Sequence, residues 1–280
     1  MLHAAHQGGR RCLAVGLLMA LFGPCCALAA VRIEAPAEVV QLLRRHVAVV
    51  DQDIDAADAL ARASLLREAR REIEELLATE GYFSPRVSLS PAPDAVLRVE
   101  PGARAHIVSV NLEFSGAIAA GAAAQPERIE RLRRAWALPV GAAFRQTAWD
   151  EAKQGLLQDL TGLDFPAAEL TATLAEVDPA APSVAISVSV DSGPAFRFGN
   201  TEFEGLQSYP ADLAQRYGRI HPGSRYSRER LLELQQALQN TPYFSAALVD
   251  IDTDTAQAGA ATVRVKVVES TARRVSFGAG

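Results

Sequence analysis

Few residues of this chain have the type and spacing that catalysis needs. The histidines beyond the first thirty residues, His46, His106 and His221, lie far apart and lack the short spacing of a metal-binding or catalytic pair. The serine in the most suggestive setting lies in Asp191-Ser192-Gly193, between two predicted strands, where a turn is expected. The sequence has no G-x-S-x-G, H-E-x-x-H or phosphate-loop motif. It therefore predicts a protein that is not an enzyme and that uses no metal or cofactor.

The overall charge argues against another class of partner. The chain has 28 Lys+Arg against 33 Asp+Glu, a net charge of −5, with 49% hydrophobic and 22% charged residues. This composition is that of a globular protein rather than a disordered one. A protein whose main partner is a nucleic-acid backbone needs clustered basic residues. Nucleic acid is therefore not expected as a partner.

The first twenty-nine residues differ from the rest of the chain. Arg10 and Arg11 precede the apolar run Cys12–Gly23, and Ala27-Leu28-Ala29 supplies a small-x-small cleavage pattern. This arrangement predicts a secretory signal peptide over residues 1–29. The alternative, a membrane-anchoring helix, would need about 20 apolar residues, which is longer than this run. Cleavage would remove all the cysteines, so the exported protein would contain no disulfide.

Four segments of the sequence each have a similar counterpart further along the chain. Glu80-Gly81-Tyr82-Phe83-Ser84 corresponds to Thr241-Pro242-Tyr243-Phe244-Ser245, each placed between a predicted helix and a predicted strand. The remaining correspondences join turns that precede strands or helices: Pro101–Ile107 with Gly193–Phe198, Phe114-Ser115-Gly116 with Phe203-Glu204-Gly205, and Leu138–Phe144 with Ile220–Tyr226. Internal repetition of this kind predicts three units of roughly 70–90 residues each.

Hydrophobic periodicity places the helices and strands of these units. Apolar residues at spacings of three and four predict long helices over 59–80, around Trp149–Leu160 and around Leu231–Leu238, with shorter helices over 37–47, 126–136 and 210–217. Alternation predicts strands whose core faces carry these residues: Val108, Val110, Leu112 and Phe114; Val184, Ile186, Val188 and Val190; Val263, Val265 and Val267. Trp136 and Trp149 are expected in the core, and the Tyr-Phe pairs are expected to close the ends of the small cores.

The order of elements predicts an α+β fold of three tandem units. Each unit is strand–helix–helix–strand–strand, a three-stranded mixed sheet with two helices on one face. The predicted boundaries are 30–101, 102–194 and 195–270, followed by residues 271–280 as a separate segment.

A three-stranded sheet offers free edges to a partner. An extended segment of another protein can add a strand there, the mode called β-augmentation. The predicted edges are Arg86–Leu89, Glu169–Leu174 and Ala247–Ile251. The partner-binding candidates are Arg86, Val87, Ser88, Leu89, Ala247, Leu248, Val249 and Ile251. The alternative is that these edges are only solvated or are covered by the neighbouring unit.

The last ten residues have the pattern of a transmembrane β-strand. Val275, Phe277 and Ala279 alternate with small or polar residues. We interpret residues 271–280 as the start of a β-barrel that the sequence does not contain, with an ordinary chain terminus as the alternative. Arg273 and Arg274 would then lie at the membrane boundary, where they could contact lipid head groups.

Together these features resemble the POTRA (polypeptide-transport-associated) domains of outer-membrane β-barrel assembly factors, and the TamA-like factors in particular. The resemblance covers residues 31–280 and is carried by Val190–Gly199, Phe203–Leu206, His221–Tyr226, Leu231–Gln239, Tyr243-Phe244 and Arg273–Gly280. It implies a scaffold on the periplasmic side of the outer membrane that assists the assembly of outer-membrane proteins and autotransporters. It also implies a TamB-like periplasmic partner on the first unit, nascent client chains, and a barrel that is truncated here.

A function of another class stays open on the residues alone. A secreted periplasmic protein that binds a soluble ligand would need one large apolar pocket. The internal repeat argues against this alternative, because it divides the chain among several small cores.

Overall fold

The computed structural model describes residues 32–47, 59–89, 96–210, 216–218 and 220–270. The predicted signal peptide, most of the predicted helix 210–217, and residues 271–280 with Arg273 and Arg274 lie outside the described residues. No helix within the described ranges is long and apolar enough to cross a membrane.

Three units follow one another along the chain. The first contains β1 (Arg32–Glu34), α1 (Ala37–His46), α2 (Ala59–Thr79), β2 (Arg86–Leu89) and β3 (Val96–Glu100). The second contains β4 (His106–Ser115), α3 (Pro126–Arg134), α4 (Gln146–Gly162), β5 (Glu169–Asp178) and β6 (Ser183–Asp191). The third contains β7 (Phe198–Glu204), α5 (Arg228–Gln239), β8 (Phe244–Ile251) and β9 (Ala261–Glu269). The predicted α+β class with three mixed sheets is confirmed, and so is the full order of elements in the first and second units.

Each unit has the same sheet. The strand orders are β1-β3-β2, β4-β6-β5 and β7-β9-β8. In every sheet the last strand lies in the centre, parallel to the first strand and antiparallel to the second. The sheets are therefore mixed, as predicted, and the first and second strands of each unit form its two edges.

The helices pack one apolar face against each sheet. Ile73 and Leu77 of α2 are fully buried in the first core, and Leu160 of α4 and Leu238 of α5 are fully buried in the second and third. The predicted core face of β6 is also confirmed, because Val184, Ile186, Val188 and Val190 are each no more than 2% exposed. Trp136 and Trp149 lie in the second core with their rings edge to face, 6.1 Å apart. The apolar residues form three separate clusters, one for each sheet.

One predicted core residue is wrong. Val108 was expected on the buried face of β4, but it is 55% exposed. The register of β4 against β6 shifts between Ile107 and Ser109, which marks a β-bulge. Because a bulge adds one residue to one strand, alternation changes sides there. Ile107, 1% exposed, takes the buried position instead.

The segment Asp191-Ser192-Gly193 is a structural turn, as predicted. Ser192 is fully buried, and its hydroxyl accepts a hydrogen bond from Ile118 N (3.0 Å) and donates one to Gly193 O (2.9 Å). The Asp191 carboxylate accepts a hydrogen bond from Gly193 N at 2.8 Å. These side chains are engaged in shaping the backbone where the second unit ends.

Gly205 occupies a position that only glycine fits without strain. Its φ is +91°, and a Cβ atom there would lie 2.1 Å from Val267 O in the central strand of the third sheet. Gly223 has a similar φ of +82°, but a Cβ atom there would meet nothing within 4 Å. Substitution at both glycines strains the backbone, but only at Gly205 does the added Cβ atom also clash with a neighbouring strand. Comparing the two variants therefore separates these two costs to stability.

We expect Gly205→Ala to lower the free energy of unfolding of the third unit by about 3 kcal/mol. Gly223→Ala should lower it by only about 1 kcal/mol, since it adds strain at φ without a clash. Urea unfolding of the two variants measures the difference. Equal losses would show that β7 and β9 do not approach as closely as described.

Candidate edges and joints

The first predicted edge, β2, lies at the outside of its sheet. Its residues pair with β3 alone among the described strands, in the register Arg86 with Glu100 through Leu89 with Leu97. Arg86 and Ser88 are exposed, and Val87 is half-buried beside the first core. This edge is short, which limits the number of backbone groups that a partner could pair with.

The second predicted edge, β5, is longer and more open. It spans Glu169–Asp178, and every one of its residues is exposed or half-buried. Leu174 is 58% exposed. Within the described residues, no hydrogen bond from outside the sheet reaches the backbone of β5. Its outward-facing N–H and C=O groups are therefore available to another strand.

The third predicted edge, β8, is occupied in part by side chains of α5. Gln239 Nε2 donates a hydrogen bond to Ala247 O at 2.9 Å, and Val249 N donates one to Gln235 Oε1 at 3.2 Å. Gln235 and Gln239 lie four residues apart and so share one face of α5. Backbone groups of alternate residues point to the same side of a strand, so Ala247 and Val249 present these groups away from β9. We call Gln235 and Gln239 the edge guard.

The side chains of β8 divide between the two faces of the sheet. Ala247, Val249 and Ile251 are no more than 9% exposed and belong to the third core, whereas Leu248 is 57% exposed on the opposite face. Four of the candidate residues thus lie on one strand, and three of them, with buried side chains, have only backbone groups to offer a partner.

The first strand of each unit also forms an edge of its sheet, which sequence reasoning did not consider. In the second and third units, a turn of the chain bonds to the start of this edge strand. On β4, Ile107 N donates to Ala142 O at 2.9 Å and Gly141 N donates to Ile107 O at 2.8 Å. On β7, Phe198 N donates to Ser224 O at 2.9 Å and Gly223 N donates to Phe198 O at 2.7 Å. The repeated turns Leu138–Phe144 and Ile220–Tyr226 could have indicated this, because each covers the start of a first strand.

Glu80 connects the first and second units. Arg104 donates from Nε to Glu80 O (2.7 Å) and from its terminal nitrogen to Glu80 Oε2 (2.9 Å), and Arg145 pairs with the same oxygen at 3.3 Å. Phe83 was expected to close the end of its own core. It instead packs against the second core, with its ring 5.7 Å from that of Phe144. Phe244 is 3% exposed in the core of its own unit, as predicted.

Asp164 connects the second and third units through its backbone. It follows α4 and is the one non-glycine residue with positive φ, +68°, among those that the structure describes. Its carbonyl accepts a hydrogen bond from Phe196 N at 2.7 Å, and its N–H donates to Tyr226 O at 3.2 Å. Aspartate adopts this conformation more readily than most residues.

The Asp164 side chain is also fully engaged. Arg225 donates two hydrogen bonds to the carboxylate, one of them from Nε at 2.8 Å, and Gln125 Nε2 donates a third at 3.0 Å. Arg128 pairs with it at 3.5 Å. The Asp164 side chain is 4% exposed and that of Arg128 is 9% exposed. We call these four residues the Asp164 clamp.

The clamp shifts the ionisation of its members. Burial raises the pKa of Asp164, but hydrogen bonds from Arg225 and Gln125 and the two guanidinium charges lower it by more, so the pKa lies below its ordinary value. Burial lowers the pKa of Arg128, although Asp164 opposes this effect. The hydrogen bond to Asp164 raises the pKa of Arg225. The lowered pKa keeps Asp164 ionised at neutral pH, and arginine side chains stay protonated in proteins, so the clamp joins opposite charges.

A family model for POTRA domains, described as "Surface antigen variable number repeat", matches residues 196–270, which contain the third sheet and α5. No curated protein matches the chain. Among solved structures, the chain is similar to the Haemophilus influenzae BamA POTRA3-5, with 17% identity and a TM-score of 0.48 over 72% of this chain and 80% of that chain. It is also similar to POTRA1-3 of the periplasmic domain of Omp85 from Anabaena, with 15% identity and a TM-score of 0.34 over 86% and 94% of the two chains.

We expect Asp164→Asn to destabilise the second and third units by about 3–5 kcal/mol, because it leaves the buried Arg128 charge uncompensated. Asparagine tolerates positive φ, so the variant tests charge rather than backbone strain. Glu151→Gln, on the exposed face of α4, is the control and should change little. Urea unfolding measures both.

The same pair of variants gives a pH signature. The folded-state pKa of Asp164 is lowered, so its contribution is full above the ordinary carboxyl pKa of about 4 and is lost as the pH falls through the folded-state value. The difference between the parent protein and Asp164→Asn should therefore be constant near neutrality and shrink below about pH 4. A difference that stayed constant on acidification would contradict the clamp.

Proposed function

We propose that this chain is the periplasmic scaffold of a TamA-like outer-membrane assembly factor, which handles client proteins through backbone contacts at the edges of its sheets. The proposal rests on the POTRA match over residues 196–270 and on the repetition of one strand order in three successive units. The clients would be nascent outer-membrane proteins and autotransporters, and a TamB-like partner would dock on the first unit. The protein would be exported and would act on the periplasmic side of the outer membrane.

The open edge of β5 is the observation that carries the mode of action. A strand rises about 3.3 Å per residue, so the ten residues of β5 present an edge of about 33 Å to an incoming chain. Outer-membrane clients are rich in alternating strands, which present the same backbone spacing. An unpaired edge that exposes Leu174 offers both hydrogen bonds and an apolar contact to such a chain.

The three candidate edges should therefore differ in use. The edge of β5 is long, and no side chain from another element bonds to its backbone in the described part of the chain, whereas β2 is shorter. At β8 a client must first displace the edge guard, because Gln235 and Gln239 already bond to Val249 N and Ala247 O. We accordingly rank β5 first, β2 second and β8 third as client-binding strands.

Three leucines of similar exposure allow a matched test of this ranking. Leu174 on β5 is 58% exposed, Leu248 on β8 is 57% exposed, and Leu232 on α5 is 49% exposed. With a photo-crosslinking amino acid at each position in turn, an unfolded outer-membrane protein should label position 174 most, position 248 less and position 232 least. Equal labelling at 174 and 232 would argue against edge recognition.

Removing the edge guard should open β8. We expect Gln235→Ala combined with Gln239→Ala to raise labelling at position 248 towards that at position 174. Adding Val249→Pro should abolish the gain, because proline removes an outward-facing N–H while edge strands tolerate it. Labelling at 248 that does not change in the double variant would show that the guard does not control access.

A further inference from the structure

A cleft of about 690 Å³ lies where the second and third units meet. The first turn of α3, the segment around Asp164, and the start of the third unit form its walls. Its charged lining consists of Arg128, Arg131, Arg197 and Arg225 against Glu127 and Asp164. The cleft therefore has a surplus of positive charge, unlike the apolar pocket expected of a protein that binds a neutral soluble ligand.

Part of this lining is already committed to structure. Arg225 and Gln125 hold the Asp164 carboxylate, as described above. Arg128 donates to Leu163 O at 3.1 Å and to Asp159 O at 2.6 Å. These groups fix the shape of the cleft, and Arg128 remains as a buried cation beside it.

Two other arginines keep donors available. Arg131 makes no side-chain hydrogen bond within the described residues and lies on the exposed side of α3. Arg197 gives one hydrogen bond, from a terminal nitrogen to Gly223 O at 2.8 Å, so its Nε and second terminal nitrogen are free of protein acceptors among the described residues. One arginine comes from the second unit and the other from the third.

The cations are close enough to repel one another. After burial, which lowers the pKa of Arg128, the charges of Asp164 and Asp159 raise it, and the smaller effects of Arg131 and Arg225 lower it. The Asp164 carboxylate neutralises only part of this charge. Four arginines face two acids in the lining, so an anion would meet a net positive charge, and in a partly buried site the attraction is larger than on an open surface.

We propose that the cleft between the second and third units binds a phosphate-bearing group, with Arg131 of the second unit and Arg197 of the third unit as its ligands. A guanidinium presents its donors in a fork that matches phosphate oxygens. The first turn of α3 also faces the cleft and contributes the positive end of a helix dipole. The volume exceeds that of a bare phosphate, so the group would be part of a larger molecule, such as a lipid head group or a soluble phosphate ester.

The position of the site gives it a mechanical consequence. An anion held by Arg131 and Arg197 adds a bridge between the same two units that the Asp164 clamp already joins. Binding should therefore stabilise the joint. This inference does not depend on client binding at the sheet edges, and either could fail without the other.

Calorimetric titration of the full chain with glycerol 3-phosphate in phosphate-free buffer tests the site. We expect saturable binding at one site, weakened about tenfold by Arg131→Gln and by Arg197→Gln, because each removes charge-assisted hydrogen bonds. Arg134→Gln is the control, since Arg134 lies on the same helix outside the cleft and bonds to Glu130 O. It should bind as the parent protein does.

Two further arms identify the source of the phosphate. Co-sedimentation with phosphatidylglycerol vesicles, but not phosphatidylcholine vesicles, that is lost in the Arg131→Gln variant would assign a lipid head group. Binding of glycerol 3-phosphate without vesicle binding would assign a soluble ester. The proposal would be overturned if glycerol 3-phosphate showed no saturable binding, or if the parent protein and the Arg131→Gln variant bound it with equal affinity. If the Arg197→Gln variant fails to fold, the Arg131→Gln variant alone tests the proposal. Its folding should not be affected, because the Arg131 side chain makes no hydrogen bond within the described residues.

Discussion

A sheet of three strands has one interior strand and two edges, and most features of this molecule follow from that constraint. In each unit the strand that comes last in the sequence lies in the centre of the sheet. It pairs with the first strand in parallel orientation and with the second in antiparallel orientation. Two strands of every three therefore keep one unpaired side, and an unpaired strand edge invites association with other chains. The chain covers some edges and leaves others open. The repeated turns 138–144 and 220–226 cover the starts of β4 and β7, and the edge guard covers β8, whereas β5 has no such protection among the described residues.

Small units also need a way to stay attached to their neighbours. Each core is built mainly from residues of its own unit, and apolar contact between units is made at positions such as Phe83, which packs against Phe144. The remaining connection is polar. Glu80 joins the first pair of units and Asp164 joins the second pair, each as an acid between arginines. A buried ion pair adds little net stability over an apolar contact. Removing one of its two partners, however, strongly destabilises the fold, because the other charge stays buried without compensation. This argument applies to the buried pair of Asp164 and Arg128, 4% and 9% exposed, and not to Glu80, which is 28% exposed.

The sequence predicted the elements well where a single period operates without interruption. Val184–Val190 alternate over a strand that is buried on one face, and Leu231, Leu234 and Leu238 follow one helical face. Prediction was wrong at Val108, because a bulge changes the alternation and leaves no mark in residue type. It missed the edge guard, because Gln235 and Gln239 are typical of a solvated helix face and only the packing of α5 beside β8 brings them to the backbone. It missed the clamp, because Asp164 and Arg225 are 61 residues apart, and the repeated turn that contains Arg225 does not indicate which acid it meets.

The contrast between β5 and β8 shows how repeats of one fold can acquire different roles. The two strands occupy equivalent places in their sheets and have similar lengths, ten and eight residues. They differ in the helix beside them: α5 carries glutamines next to its buried Leu234 and Leu238, and these reach the strand backbone, whereas no side chain of α4 bonds to the backbone of β5 in the described residues. Glutamine suits this purpose because its amide can both donate and accept, as a strand edge does. Two side chains on one helix are thus enough to occupy backbone groups at one edge that stay free at the equivalent edge among the described residues, with no change to the sheet itself.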